Sequence, residues 1–404
     1  MVTRRQFLGL TGGAAAVAAV GGAGAWNLLV DDRVRQAAIV GAPERVLVVV
    51  QLSGGNDGLD TVIPGDGRYH DLRPTLAVAD ADVVALAGIT GFGLHPKLAP
   101  LGPWWDKGRL AVVEGIGIPG QTRSHFSALD TWWRGTVDGQ AHTGWLGRWL
   151  DAVGDPSDPL RAISLGAGSP ALLGERATST VVFDPVGFAL NTPRGVDPDQ
   201  LSAAFRATAA PLGADATMAA AQSSVPAALD AVTALRPALE APAAGDASGL
   251  ASLLGVAARL IDLRLGTQVI VVTVGGYDNH AKQAQAHPAL LGDLAAGLDG
   301  FLTQIDAQGR ADDVVVITTS EFGRRAAENG SGTDHGQASV QFVAGAPVAS
   351  AQLVGSADLG RLDQGDLPTV IDTRSLYAAS LDWLGGPTDD VLGGHYDRLG
   401  LLKA

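Results

Sequence analysis

Four short runs of Val, Ile and Leu punctuate this chain, at residues 45–52, 110–116, 267–274 and 313–319. Each is continuous rather than alternating, as expected of a strand covered on both faces. Helical patterning follows at 124–133, 288–308 and 373–384, and Ser339–Ala344 has the look of a further strand. Unbroken strands alternating with helices predict an α/β fold: an open, mostly parallel sheet with helices on both faces. Residues 196–265 are Ala-rich and helical, interrupted by Pro226, Pro237 and Pro242 and by a Gly/Ala/Ser-rich break near 243–249. They predict a helical insertion. Residues 155–195, with short β-like runs at 162–165 and 180–183, predict an irregular lid, so that 155–265 together form the lid and insertion of one domain over 44–404. No tandem repeat is present.

The N-terminus belongs to a different class of segment. Thr3-Arg4-Arg5-Gln6-Phe7-Leu8 precedes an uncharged Gly/Ala/Val stretch that ends in Ala23-Gly24-Ala25. That layout is a twin-arginine export signal over 1–25, with cleavage before Trp26 and a linker over 26–43. An uncleaved anchor is the alternative; after cleavage no membrane span is expected. The expected site of residence is the periplasm, the cell surface or the medium, with the twin-arginine translocase as partner during export.

Charge and cysteine content narrow the chemistry. The signal holds two arginines and no acid, leaving 26 Lys+Arg against 42 Asp+Glu. Such a surface argues against nucleic acid or an anionic membrane as partner, although a bound cation would still favour an anionic substrate locally. There is no cysteine, so disulfides, Cys-ligated zinc and thiol catalysis are excluded.

In open α/β sheets ligands bind beyond the carboxyl ends of the strands, and the polar clusters fall there. Asn56-Asp57 lies in a glycine-rich loop where a carboxylate can hold a hard cation or simply close an Asn-Asp-Gly turn. Ser124, at a predicted helix start, is a candidate nucleophile or a plain N-cap; His125 follows it. Asp278 and His280 close a strand as mixed oxygen and nitrogen ligands, or as a hydrogen-bonded loop pair. Glu321 is a candidate ligand or base, and Arg324 a fork for an anionic oxygen or a surface ion pair. His335 beside Asp334 suits an imidazole oriented by a carboxylate. His95 and His70 are candidates for lining the cleft; His142, His287 and His395 read as surface or loop positions. There is no P-loop and no Gly-x-Ser-x-Gly elbow.

Taken in order, Leu52-Ser-Gly-Gly-Asn-Asp-Gly-Leu59, Leu94-His-Pro-Lys-Leu98, Arg123-Ser-His-Phe126, Gly275-Gly-Tyr-Asp-Asn-His280, Ser320-Glu-Phe-Gly-Arg324 and Thr333-Asp-His-Gly336 resemble the twin-arginine-exported bacterial family known as domain of unknown function 1501. That family looks like a remote branch of the alkaline phosphatase–sulfatase superfamily. The resemblance implies an alkaline-phosphatase-like fold and metal ligands Asp57, Asp278, His280, Glu321 and His335. Ser124 would be the nucleophile and Arg324 would hold a substrate oxygen, with Asn56, His95, His125 and Asp334 in reserve. Glu321-Phe322 stands where the superfamily has Asp-His, so one imidazole is missing unless His125 or His95 replaces it. The sulfatase Cys/Ser-x-Pro-x-Arg motif is absent. The expected function is an exported hydrolase of phosphate or related anionic esters, dependent on a divalent metal such as Zn, Mn, Mg or Ca. The rival is a cell-surface or assembly protein that kept the fold without the chemistry.

Overall fold

The computed structural model describes residues 45–137, 141–185, 188, 194–209, 216–239 and 249–403. The signal expected over 1–25 and the linker over 26–43 lie outside them.

The strands run in chain order as β1 (Val46–Leu52), β2 (Val62–Pro64), β3 (Val84–Ala85), β4 (Phe92–Leu94), β5 (Leu110–Gly117), β6 (Ala162–Leu165), β7 (Thr180–Val182), β8 (Val269–Val274), β9 (Val314–Thr319), β10 (Ser339–Ala344), β11 (Gln352–Gly355) and β12 (Ile371–Asp372). Nine of them form one sheet in the order β11-β5-β10-β9-β1-β8-β6-β7, with β12 also on β5. β1 is central and parallel to β8 and β9, with Val48 level with Ile270 on one side and Val316 on the other. Within this sheet β10 alone runs antiparallel, between β9 and β5. A small antiparallel sheet, β2-β4-β3, sits apart.

The continuous apolar runs are explained by burial on two faces. Val46, Val48, Val50 and Leu52 face one core with helices Leu250–Asp262 and Gln283–Ala307. Leu47 and Val49 face the other, with His125–Arg134, Trp145–Ala152 and Thr373–Leu384. Every residue of β1 is buried, and each such apolar side chain stabilises the fold by roughly 1.5–3 kcal/mol. On the second face Trp145 stacks on Tyr377 at 4.1 Å.

Two expectations change. The segment expected to form a lid instead supplies β6 and β7, which extend the sheet beyond β8. All four residues of β6 are buried, which requires a partner strand rather than an exposed loop. The Ala-rich segment carries helices at Pro198–Thr208, Ala216–Leu239 and Leu250–Asp262, but the last of these is a core layer packed on Gln283–Ala307.

The parallel arrangement brings the loops after β1 and β8 together. Gly54 has φ +126°, and a Cβ there would lie 2.3 Å from the Asp278 backbone nitrogen. Gly54→Ala should therefore lower the unfolding free energy by at least about 2 kcal/mol, from strain and overpacking combined. Gly275→Ala, with open space around it, should change it by under about 0.5 kcal/mol. Denaturant midpoints of the two variants test the contrast.

Candidate metal centre

Arg324, just beyond β9, is buried, and its guanidinium gathers the strand-end loops. Nε donates to the Gly55 carbonyl at 2.8 Å and one terminal nitrogen to the Thr333 carbonyl at 2.8 Å. The other donates to the carbonyls of Gly54 and Tyr277 and to Asp278 Oδ1, the last at 2.8 Å. The loops after β1, β8 and β9 are thus tied to one planar cation.

Around Asp278 three imidazoles converge, and in each the Nδ1 atom faces an oxygen. His125 Nδ1 lies 2.9 Å from Glu321 Oε1, His280 Nδ1 3.1 Å from Asp334 Oδ1, and His335 Nδ1 2.8 Å from the Arg123 carbonyl. A carbonyl or carboxylate oxygen only accepts, so Nδ1 carries the proton in the neutral ring and Nε2 presents a lone pair. Each of these Nε2 atoms faces the Asp278 carboxylate. His335 and His280 Nε2 are 2.9 Å apart, and each is 3.1 Å from Asp278 Oδ1. His125 Nε2 lies 3.4 Å from Asp278 Oδ2 and is buried without a hydrogen-bond partner. Ligand atoms of His125, Asp278 and His335 all fall within 4.8 Å of one another.

The donor set fits a divalent cation. Lone pairs of two neutral imidazoles facing each other repel unless a positive charge lies between them. Ligands about 2.0–2.1 Å from a tetrahedral zinc stand roughly 3.3 Å from each other, which is close to the separations here. The oxygens behind each Nδ1 are the outer partners that fix tautomer and orientation in metal-binding histidines. Burial would raise the Asp278 pKa, but the hydrogen bond from Arg324 and the Arg324 charge outweigh it and hold the carboxyl at about 2. The bond to Glu321 raises the His125 pKa, while burial lowers that of His335.

The structure brings together His125, Asp278, His280 and His335, with Glu321 and Asp334 behind them. Other expected residues are placed elsewhere. Asp57 does not face the group: it is buried in a two-pronged ion pair with Arg73, at 2.6 and 3.0 Å, and accepts from Gln283. Asn56 bonds Thr61 and His287, and Nδ1 of His95 caps a turn by accepting from the Lys97 backbone. Glu321 stands behind a histidine, with Oε1 also accepting from Gly54 N at 2.8 Å. Arg324 is a correction: its guanidinium is buried, and each of its three nitrogens already donates to backbone carbonyls or to Asp278 rather than standing open to a substrate oxygen. Ser124 is exposed at the N-cap of His125–Arg134, and its side chain makes no capping bond.

Sequence reasoning missed the cluster of Asp57, Asp60, Arg73 and Gln283, and it placed His287 at the surface, whereas it is buried against Asn56. A fully buried arginine sixteen residues beyond Asp57 carries no motif; only the charge that two buried carboxylates need could have pointed to it.

The family model described as Protein of unknown function (DUF1501) matches residues 80–400, a span that contains the whole histidine–aspartate group. No curated protein matches the chain in sequence. Among solved structures it is similar to a protein in the alkaline phosphatase superfamily from Vibrio parahaemolyticus, with TM-score 0.43, 8% identity, and 94% of this chain and 79% of that one covered. It is also similar to the lipoteichoic acid synthase LtaP from Listeria monocytogenes (TM-score 0.39, 11% identity, 89% and 77% covered). A third is the PsFucS1 sulfatase from Pseudoalteromonas sp. (TM-score 0.39, 11% identity, 94% and 76% covered). Overlaps this loose carry no argument about activity.

The buried acidic pair yields a pH prediction. Burial raises the Asp60 pKa to about 6 against the pull of Arg73, whereas Arg73 and the surrounding hydrogen bonds overcome burial at Asp57 and lower its pKa. Between about pH 4, the unfolded aspartate value, and pH 6 the folded chain therefore holds a proton on Asp60 that the unfolded chain has lost. This contribution to stability is full below that window and lost as pH rises through it. Asp60→Asn should flatten the decline, measured as unfolding free energy from pH 4 to 7; an unchanged slope would remove Asp60 as its source.

Proposed function

The chain belongs to the family described as Protein of unknown function (DUF1501), and on that footing we propose that it is an exported hydrolase of phosphate or related anionic esters, dependent on one divalent cation. The observation that carries the reading is the gathering of His125, Asp278 and His335 ligand atoms within 4.8 Å of one another, with His280 Nε2 against Asp278 Oδ1 beside them and each imidazole held from behind by an oxygen. A nitrogen-rich donor set suits Zn or Mn better than Mg or Ca.

His125, Asp278, His280 and His335 would hold the cation, and Glu321, Asp334 and the Arg123 carbonyl would keep the rings aimed. A divalent cation bound there supplies positive charge that polarises an ester oxygen and stabilises charge in the transition state. Ser124 is the proposed nucleophile. Its hydroxyl is exposed and not used as a cap, it adjoins His125 in sequence, and it sits at a helix N-terminus, which favours a developing alkoxide. Export rests on the Arg4-Arg5 signal; among the described residues no helix is long and apolar enough to cross a membrane.

A second reading, a cation-stabilised protein without turnover, draws on one observation: Arg324 and Asp57 are committed to internal partners. Turnover separates the two.

Metal-free protein titrated with Zn²⁺ or Mn²⁺ should bind one equivalent, more weakly as pH falls through the imidazole range, because protons compete for the same nitrogens. His335→Ala should weaken binding at least tenfold. With metal bound, aryl phosphate mono- or diesters should be hydrolysed, and Ser124→Ala should abolish turnover while keeping the metal. Absence of binding would sink the metal site; full loading with no turnover across the ester panel would leave the second reading.

A further inference from the structure

With Arg324 buried and turned to internal partners, an anionic ester needs another cation from the protein. Two other arginines flank the group. Arg123 lies two residues before His125, and its backbone carbonyl accepts from His335 Nδ1 at 2.8 Å. Arg325 follows Arg324; its backbone N–H donates to the Asp334 carbonyl at 3.0 Å, and its charge acts on the Asp334 carboxylate.

Both side chains turn toward a single acid. Arg123 pairs with Asp366 Oδ2, and Arg325 Nε stands 3.8 Å from Asp366 Oδ1. Asp366 is delivered by a tight turn in which Asp363 and Asp366 exchange backbone hydrogen bonds of 2.9 Å. Its side chain is fully buried, whereas Arg123 and Arg325 are 34% and 33% exposed. Two guanidiniums thus face one carboxylate, Arg123 bonded to it and Arg325 beyond hydrogen-bond distance, and both reach solvent. Arg325 spends one terminal nitrogen on the Gln364 carbonyl. Among the described residues its other terminal nitrogen has no acceptor, nor have Nε and the second terminal nitrogen of Arg123. On a chain of formal charge −14, two solvent-reaching guanidiniums with open donors stand beside the histidines.

We propose that Arg123 and Arg325 form the anion clamp of this site, gripping the non-bridging oxygens of a phosphate-like group with the donors that Asp366 leaves free, while Asp366 competes with that group for the two forks. The inference rests on the ester-hydrolase reading and deepens it: the substrate carries a tetrahedral oxyanion, and its protein-borne cations are Arg123 and Arg325 rather than Arg324. Planar forks of this kind suit paired oxygens.

Inorganic phosphate is the probe, titrated calorimetrically into metal-loaded full-length protein whose metal content is measured in every sample. Arg123→Gln and Arg325→Gln should each weaken phosphate binding about tenfold or more, keep the metal stoichiometry, and flatten the salt dependence. Arg123→Gln leaves the backbone carbonyl behind His335 in place. Asp366→Asn should act in the opposite direction and tighten phosphate severalfold, because it releases both forks from a competing anion. A purely structural clasp would lower stability in all three variants and leave phosphate affinity unmoved, which would overturn the clamp, as would wild-type protein that does not bind phosphate. If a glutamine variant fails to fold, Asp366→Asn decides alone: tightening supports the clamp and unchanged or weaker binding overturns it. Failure of the underlying reading looks different, since a protein that binds no metal and hydrolyses no ester, yet loses phosphate affinity in the arginine variants, would keep the clamp and lose the hydrolase.

Discussion

A single buried guanidinium orders the functional end of this molecule. In an open parallel sheet the strand ends release loops whose carbonyls point outward with no ladder partner, and buried carbonyls must be satisfied. Arg324 meets that need for Gly54, Gly55, Tyr277 and Thr333 at once, and it orients Asp278 with the same terminal nitrogen that holds Tyr277. Removing it would leave several acceptors and one carboxylate uncompensated together. The position of Asp278, and through it the meeting of three imidazoles, depends on that clamp.

The same demand distributes roles among the arginines. Burying a cation requires that its donors be filled, so the best-anchored arginine is the least available to a ligand. Arg73 does for Asp57 and Asp60 what Arg324 does for the loops, neutralising acids that would otherwise sit charged in the interior. Asp57 therefore faces a guanidinium where the resemblance implied a metal. The half-exposed arginines at the rim retain unfilled donors, and they face one buried acid. Phe322, in the place of an expected imidazole, packs against His125 and His335 at 4.9 and 4.5 Å; the third ring comes instead from His125, at the start of a helix on another part of the chain.

Strands with two buried faces were legible because their apolar runs are unbroken: β1, β5, β8 and β9 fall within a few residues of the runs at 45–52, 110–116, 267–274 and 313–319. The direction of β10 was not legible, since nothing within Ser339–Ala344 distinguishes an antiparallel neighbour from a parallel one. β6 and β7 were visible as short runs and assigned to a lid, because four residues without flanking periodicity do not announce a place in a sheet. At the site, Asp278, His280, His335 and the substitute His125 could be named from their places at element ends. Whether Asp57 and Arg324 would face a ligand or an internal partner could not, because that depends on Arg73 and on carbonyl groups that any residue carries. His287 escaped because its helix begins at Gln283, ahead of Pro288, and turns the ring inward.

The central claim, that loops tied by Arg324 aim three imidazoles and one carboxylate at a common point, is tested most directly by X-ray absorption on zinc-loaded protein. The account predicts a first coordination sphere of nitrogen and oxygen at about 2.0–2.1 Å, with multiple-scattering features of three imidazoles. A sphere of oxygen ligands without imidazole scattering would contradict it.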